Sequence, residues 1–437
     1  IAIPELPDDG KGNYVWTWTN TNGGSGSTYD DRFNFGQDST YSGAASFQNK
    51  TDASGLGYFY TTVPDGHKCL CTKNLPPRTD VLVEPQKHFD ILTYTGNNNS
   101  GRVITGLKFK PDFVWFKKRS SGSQNHTLYD SVRGAGKRLR LPSTDGEGTV
   151  SDELTSFNDG GFTIDTDNFQ NENAKDYVAW CWKAGGAAVT NNDGSGTSQV
   201  SANQEAGFSI VTYSGNATGS ATSAVWQTIG HGLGKTPKWI VFKSRSYGDA
   251  DTHWANYHVG VTDASTDYVV WDTTEARIQT DVNYMGSTLP TSSVFSLGYN
   301  FTTNKNGEDY VAYCWAEIPG FSKFGRYKGN GDSDGTFVNV GFKPAWVLVK
   351  GEDFAGNWNL FDIKRPGANP INDRLFPNLS DAETDGSSSN NQIDIVANGF
   401  KLRGSNVDTN SAGNTYIYMA FADQTSLNQF NLAVNAF

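Results

Sequence analysis

Short runs of apolar residues, four to eight long and broken by Gly, Asn, Asp and Ser, dominate the chain. Phe89-Asp90-Ile91-Leu92-Thr93 and Phe208-Ser209-Ile210-Val211-Thr212 are compact strand patterns, and Tyr14-Val15-Trp16-Thr17-Trp18 alternates with the period of a half-buried strand. Helical periodicity is weak throughout. Pro111-Asp112-Phe113-Val114-Trp115-Phe116-Lys117 is almost continuously apolar, which predicts a strand buried on both faces. Its proline opens the strand, where a missing N–H does no harm. The pattern predicts an all-β protein of antiparallel β-sandwiches.

The same runs recur three times in one order. Tyr94-Thr95-Gly96-Asn97, Tyr213-Ser214-Gly215-Asn216 and Tyr327-Lys328-Gly329-Asn330 end a first strand. A Pro-led strand ending in Lys follows, with Pro237 to Lys243 and Pro344 to Lys350 as the second and third copies. Tyr177-Val178-Ala179-Trp180-Cys181-Trp182, Tyr310-Val311-Ala312-Tyr313-Cys314-Trp315 and Tyr416-Ile417-Tyr418-Met419-Ala420-Phe421 close each copy. The gaps from Tyr to Pro are 17, 24 and 17 residues (94 to 111, 213 to 237, 327 to 344), so the copies are true repeats. A fourth landmark lies between: Leu128-Tyr129-Asp130, Asn256-Tyr257-His258 and Leu360-Phe361-Asp362. The modules span 88–186, 207–320 and 321–422. A separate unit covers 1–87, residues 187–206 have linker composition, and 423–437 form a tail. The minimal join at Pro319-Gly320 predicts rigid packing of modules two and three, as in a stiff rod.

Composition narrows the function. Glycine, at 48 of 437 residues, and the aromatics, at 13%, supply turns and cores. A formal charge of -11 removes the clustered cations that nucleic-acid binding needs. No apolar run is long enough to span a membrane as a helix. The chain begins at Ile1 with no signal peptide pattern, which reads as a processed product or a part of a longer one.

Two resemblances add to this. Asn34-Phe35-Gly36-Gln37 and Val63-Pro64-Asp65-Gly66 resemble the end of a SPRY-type (B30.2) β-sandwich, which implies a truncated domain at the start. Lys110 to Lys117, Leu128 to Gly134 and Asp176 to Trp182 resemble repeats of large virion proteins of marine bacteriophages, the tail-fibre or lectin-like proteins of cyanophages among them. That likeness implies lectin-like sandwich modules at the virion surface. The implied partners are the chain itself, other virion proteins and a host surface glycan. It supplies no catalytic residue. Module three departs from it, with Ala420 in place of the cysteine and no Arg-Gly-Ala-Gly segment.

The candidate chemistry is sparse. Cys181 and Cys314 sit where the third copy has Ala420, so they read as core fillers, not nucleophiles. Cys69 and Cys71 share one strand face, which suits no disulfide. The six histidines form no metal-binding spacing and read as surface residues, with His253 and His258 beside Trp254 and Tyr257. Trp254, Trp271 and Trp358 near loops are the candidates for stacking on sugar rings. Asn330, Asp332 and Asp334, followed by Gly335, resemble the start of a calcium loop, but position 341 is Gly where a bidentate Glu belongs; a polar hairpin turn is the alternative. The basic stretch from Arg133 to Arg140 fits an anionic partner or a solvated face. No nucleophile elbow or phosphate loop is present. The expected function is therefore non-enzymatic: a receptor-binding appendage, with a purely structural subunit and a polysaccharide depolymerase as alternatives. Calcium is the one cofactor candidate. Avidity favours a homo-oligomer, with a trimer preferred and the apolar residues of 430–437 as a contact.

Overall fold

A computed structural model describes residues 84–423, except 121, 219–224, 247, 249–251, 366–367 and 388–389, together with isolated earlier positions such as Val63 and Asp65. The 1–87 unit, Cys69, Cys71 and the tail otherwise lie outside the described residues. The chain divides into two compact units, and the one that is mainly Thr79–Leu427 holds all three modules.

The protein is all-β, with 43% of residues in strands and 2% in helix. In module one the strands are β1 (Phe89–Thr95), β2 (Arg102–Thr105), β3 (Phe113–Lys118), β4 (His126–Asp130), β5 (Lys137–Leu141), β6 (Gly148–Thr149), β7 (Leu154–Asn158), β8 (Gly161–Ile164) and β9 (Asp176–Trp182). The main sheet runs β1-β9-β3-β4-β5-β6 and the second β2-β8-β7. Module two contains β10 (Val189–Asn191), β11 (Ser198–Asn203), β12 (Phe208–Ser214), β13 (Gln227–Gly230), β14 (Pro237–Ser244), β15 (Ala255–His258), β16 (Val269–Val270), β17 (Val294–Leu297) and β18 (Asp309–Ala316). Its main sheet is β10-β11-β12-β18-β14-β15-β16, opposed by β13-β17. Module three uses β19 (Ser322–Lys328), β20 (Phe337–Asn339), β21 (Pro344–Gly351), β22 (Asn359–Asp362), β23 (Asp373–Arg374), β24 (Thr384–Asp385), β25 (Ile393–Val396), β26 (Gly399–Leu402) and β27 (Thr415–Ala422). Its main sheet is β19-β27-β21-β22 and the second β20-β26-β25. The four central strands therefore follow one order in all three modules.

The landmarks explain that order. The tyrosines of the first and third landmarks stack on each other across β1 and β9, with centroids 5.4 Å apart. The equivalent pairs, Tyr213 on Tyr310 and Tyr327 on Tyr416, lie at 5.4 and 5.1 Å. Each closing tyrosine then donates to a loop carbonyl, of Asn168, Phe301 or Val407. The glycine after the first tyrosine lets the chain pass under that loop. A Cβ on Gly96, Gly215 or Gly329 would lie 2.1, 2.3 or 2.2 Å from a backbone carbonyl oxygen. Asn171, Asn304 and Asn410, all fully buried, accept the N–H of Asn97, Asn216 and Asn330 and hold the turn.

Each main sheet is covered twice. Its outer face packs on its own second sheet: Val114, Phe116, Ala179 and Cys181 meet Phe162 and Ile164 in module one. Its inner face joins one core common to all three modules, which contains Trp115, Trp180, Trp182, Trp239, Trp315, Trp346 and Phe421. Trp182 touches Trp315 at 6.1 Å and Trp346 at 5.9 Å, both edge to face. The indole N–H groups of Trp182, Trp271, Trp315 and Trp346 have no polar acceptor, and edge-to-face packing against neighbouring rings is the arrangement that best tolerates this.

The modules close into a ring. The lysine ending each Pro-led strand is fully buried and reaches into the preceding module: Lys243 Nζ donates to Thr144 O at 2.8 Å, Lys350 Nζ to Thr274 O at 3.3 Å, and Lys117 Nζ to Ser380 O at 2.8 Å. Two residues beyond each lysine is an ion pair across the same boundary: Arg245 with Glu147, Arg119 with Glu383, and Glu352 with Arg277 in reversed polarity. Module three thus returns to module one, and the stiff rod expected from Pro319-Gly320 does not form. Residues 187–206 are not a linker either: β10 and β11 extend the main sheet of module two, pairing Val200 with Val211. Gly and Ser in that stretch mark the bends around two short strands.

Cys181 and Cys314 are free and fully buried, as is Ala420. Cys181→Ala and Cys314→Ala should each cost about 1 kcal/mol, the loss of one small buried group. A cost above about 3 kcal/mol in denaturant unfolding would show that the sulfur does more than fill space.

Candidate functional site

The three tryptophans expected to stack on sugars are at 0% exposure. Trp254 Nε1 donates to Arg140 O and Ser143 O of module one, and Trp358 Nε1 to Val270 O of module two. Trp271 packs edge to face on Trp115 of module one, so residues of adjacent modules cover all three and no ring face is open to a ligand. In the expected calcium loop, Asn330 Oδ1 accepts from Asp332 N and Asn410 Nδ2, Asp332 Oδ1 accepts from Asp334 N, and the Asp334 carboxylate pairs with Lys401. Asn330 and Asp332 thus bond within the turn, and Asp334 bonds to Lys401.

The basic stretch is neutralised internally. Arg133 is buried against Asp130, Arg138 meets Glu153, and Arg140 meets Asp145. Asp152, Glu153 and Asp167 bring three carboxylates within 4.8 Å of one another, but Arg138 already supplies the countercharge. Burial pushes the Glu153 carboxyl up to about 8.

Most of the histidines are not at the surface. His126, His231 and His258 have no exposure and His88 has 6%. Trp115 Nε1 can only donate, so His126 Nδ1 accepts and His126 Nε2–H donates to Phe376 O of module three. His258 accepts Gly260 N–H at Nδ1 and donates from Nε2 to Tyr418 O. Both rings are neutral ties between modules. Burial pulls His258 down to about 3 and His231 to about 4. Unfolding frees these rings to take protons near pH 6.5, so the unfolded state binds more protons between about pH 4 and 6.5. Stability should therefore fall as pH drops from 7 to 4, and His258→Gln should flatten part of that fall. Denaturant midpoints that do not move across this range would contradict it.

One surface feature breaks the threefold pattern. A groove of about 740 Å3 lies between the end of module one and the β11–β12 turn, lined by His88, Lys110, Asp112, Lys183, Gly185 and Glu205 among others. A second hollow of about 440 Å3 adjoins it through Gly185, Ala187, Ala202 and Gln204. The Asp112 carboxylate accepts from Ser131 Oγ and Ala184 N, so it fixes the wall. Asn203 Oδ1 accepts from Ala206 N, which orients its amide so that Nδ2 donates to His88 Nδ1. The His88 proton is thereby placed on Nε2, 3.8 Å from the exposed Glu205 carboxylate. Burial lowers the His88 pKa, offset in part by Glu205.

Equivalent backbone bonds align the copies here: Lys183 N to His88 O, Ala316 N to Gly207 O, and Ala422 N to Phe321 O. His88 thus corresponds to Gly207 and Phe321, and Lys183 to Ala316 and Ala422. The landmark residues recur in all three copies, whereas these do not. Aligning the copies beyond their landmarks would have exposed the difference in the sequence.

The family described as Domain of unknown function (DUF7483) matches residues 84–425. The chain belongs to this family. The DUF7483 match spans all three modules as one domain, in agreement with a core that no single module completes. No curated protein and no solved structure matches the chain.

Proposed function

We propose that the chain is a non-enzymatic recognition and building unit of a virion appendage, in which the ring of three modules is the rigid body and the groove at His88 takes a host surface glycan. The observation that carries this is the contrast between repeated and unrepeated polar residues. Lys117, Lys243 and Lys350 recur because they join modules, while His88 and Lys183 have no counterpart and line an open groove. A concave surface of this size with polar side chains among small residues suits a small hydroxylated ligand. Among the described residues, Cys181 and Cys314 are buried, and His126, His231 and His258 are bonded at both ring nitrogens. The proposal includes self-assembly into a homo-oligomer, with a trimer preferred, which light scattering of the full chain reads directly.

Immunogold labelling of purified particles combined with a glycan array tests the reading. Label on the particle exterior and array signals reduced by groove substitutions are expected. Absence of the chain from particles would sink the appendage role. Particle label without any glycan signal would favour the purely structural subunit, the reading to which the shared core also lends support.

A further inference from the structure

We infer that the groove at His88 binds the carboxylate of an acidic saccharide, with His88 Nε2–H, Lys110 and Lys183 facing the anion and Glu205 accepting ligand hydroxyls. The inference rests on reading the groove as a ligand site and adds the ligand's charge.

The argument starts from what each wall offers. His88 is 6% exposed and held at Nδ1 by Asn203, so its position is fixed before any ligand arrives. Its Nε2 lines the groove without a hydrogen-bond acceptor in range, since Glu205 stands 3.8 Å away. An incoming oxygen can accept from this pre-positioned N–H. Lys110 and Lys183 are exposed at the same opening, so the donor side carries two positive charges beside a neutral N–H. An anion bound there gains charge-assisted bonds, which are stronger than neutral ones. The rest of the lining is small or polar: Gly185, Gly186, Ala187 and Ala202 contribute no large apolar surface. A sugar ring fits beside these small residues and the polar groups among them. Glu205, with 70% side-chain exposure, stands on the same side of the groove, 3.8 Å from His88 Nε2, where its carboxylate can accept hydroxyl protons of the sugar ring. The adjoining hollow extends the same surface, which provides length for more than one ring. The fold does not call for His88 or Lys183 in particular, because module two holds Gly207 and Ala316 and module three Phe321 and Ala422 at the corresponding positions.

The copies also supply the test variants. His88→Phe and Lys183→Ala install residues that the sibling modules already carry, so folding should be preserved, as an unchanged unfolding midpoint would verify. Calorimetric titration of the full chain with trigalacturonate should give saturable one-to-one binding. His88→Phe and Lys183→Ala together should raise the Kd about tenfold or more, and Lys328→Ala, an exposed lysine of module three, should leave it unchanged. Fully methyl-esterified trigalacturonate should bind about tenfold more weakly than the acid. Inorganic phosphate at equal concentration should compete poorly, since it lacks the contacts a sugar ring makes along the groove. Equal binding of acid and ester, still weakened by the groove variants, would overturn the charge assignment and leave the groove reading standing. Complete competition by phosphate would overturn the saccharide assignment. No binding of acid, ester or neutral maltotriose up to about 10 mM, far weaker than a working recognition site, would overturn both.

Discussion

Trp182→Ala should destabilise the whole domain by about 3–5 kcal/mol, as removal of a large core aromatic does, and all three modules should unfold in one transition at a lower denaturant concentration. Trp182 belongs to module one, yet its ring contacts Phe89 and Phe113 of its own module, Trp315 of module two, and Trp346 and Phe421 of module three. A cavity there removes contacts from every module at once. Ordinary tandem sandwiches would respond differently: the damaged module would melt first and the others would keep their midpoints. Fluorescence and circular dichroism monitored in parallel separate the outcomes. A biphasic transition with two modules unaffected would show that the shared core does not couple them.

Asp130→Ala should cost about 3–5 kcal/mol, because it leaves Arg133 in a buried site without its principal countercharge. The Asp130 carboxylate accepts from Val132 N, Arg133 N, Arg133 Nε and, across the boundary, Tyr313 OH of module two. Asp362 repeats the device, bonding Lys364 N, Arg365 N, Arg365 Nε and Trp180 Nε1 of module one. The third boundary lacks it for a visible reason. The residue facing it there, by the repeat, is Met419, which offers no donor, and the chain places His258 and Val261 where the others hold Asp and Arg. His258 uses a backbone carbonyl instead. Tyr313→Phe deletes two hydrogen bonds, the one its hydroxyl donates to Asp130 and the one it accepts from Arg133, but leaves both charges paired, so its cost should be nearer about 1–2 kcal/mol. If Asp130→Ala costs no more than Tyr313→Phe in matched denaturant unfolding, the carboxylate is not what holds Arg133.

Much of the candidate site was hidden in the sequence because its signal is the absence of a pattern. His88 precedes the first landmark and Lys183 follows the third, just beyond the aligned runs. The tryptophans near loops misled for a related reason. Proximity to Gly, Asn and Ser in sequence marks a turn, but it says nothing of which neighbouring loop covers the ring.

The sequence by itself determined the all-β class, the three copies and the burial of Cys181 and Cys314, since each depends on residues within one module. Period-two patterns, Gly after Tyr and substitution of Cys by Ala are local facts. The run Phe113-Val114-Trp115-Phe116 even demanded two buried faces, although a sandwich of two sheets accounts for only one. What covers the other face was decided by tertiary structure alone. Closing the ring brings Arg119 to Glu383 across 264 residues of chain, and no local period encodes a contact at that separation. The same closure turned a lysine that looked like the polar end of a strand into a buried tie between modules. It also turned three candidate sugar platforms into core. A buried polar group reads as surface until its partner, far away in sequence, is placed beside it.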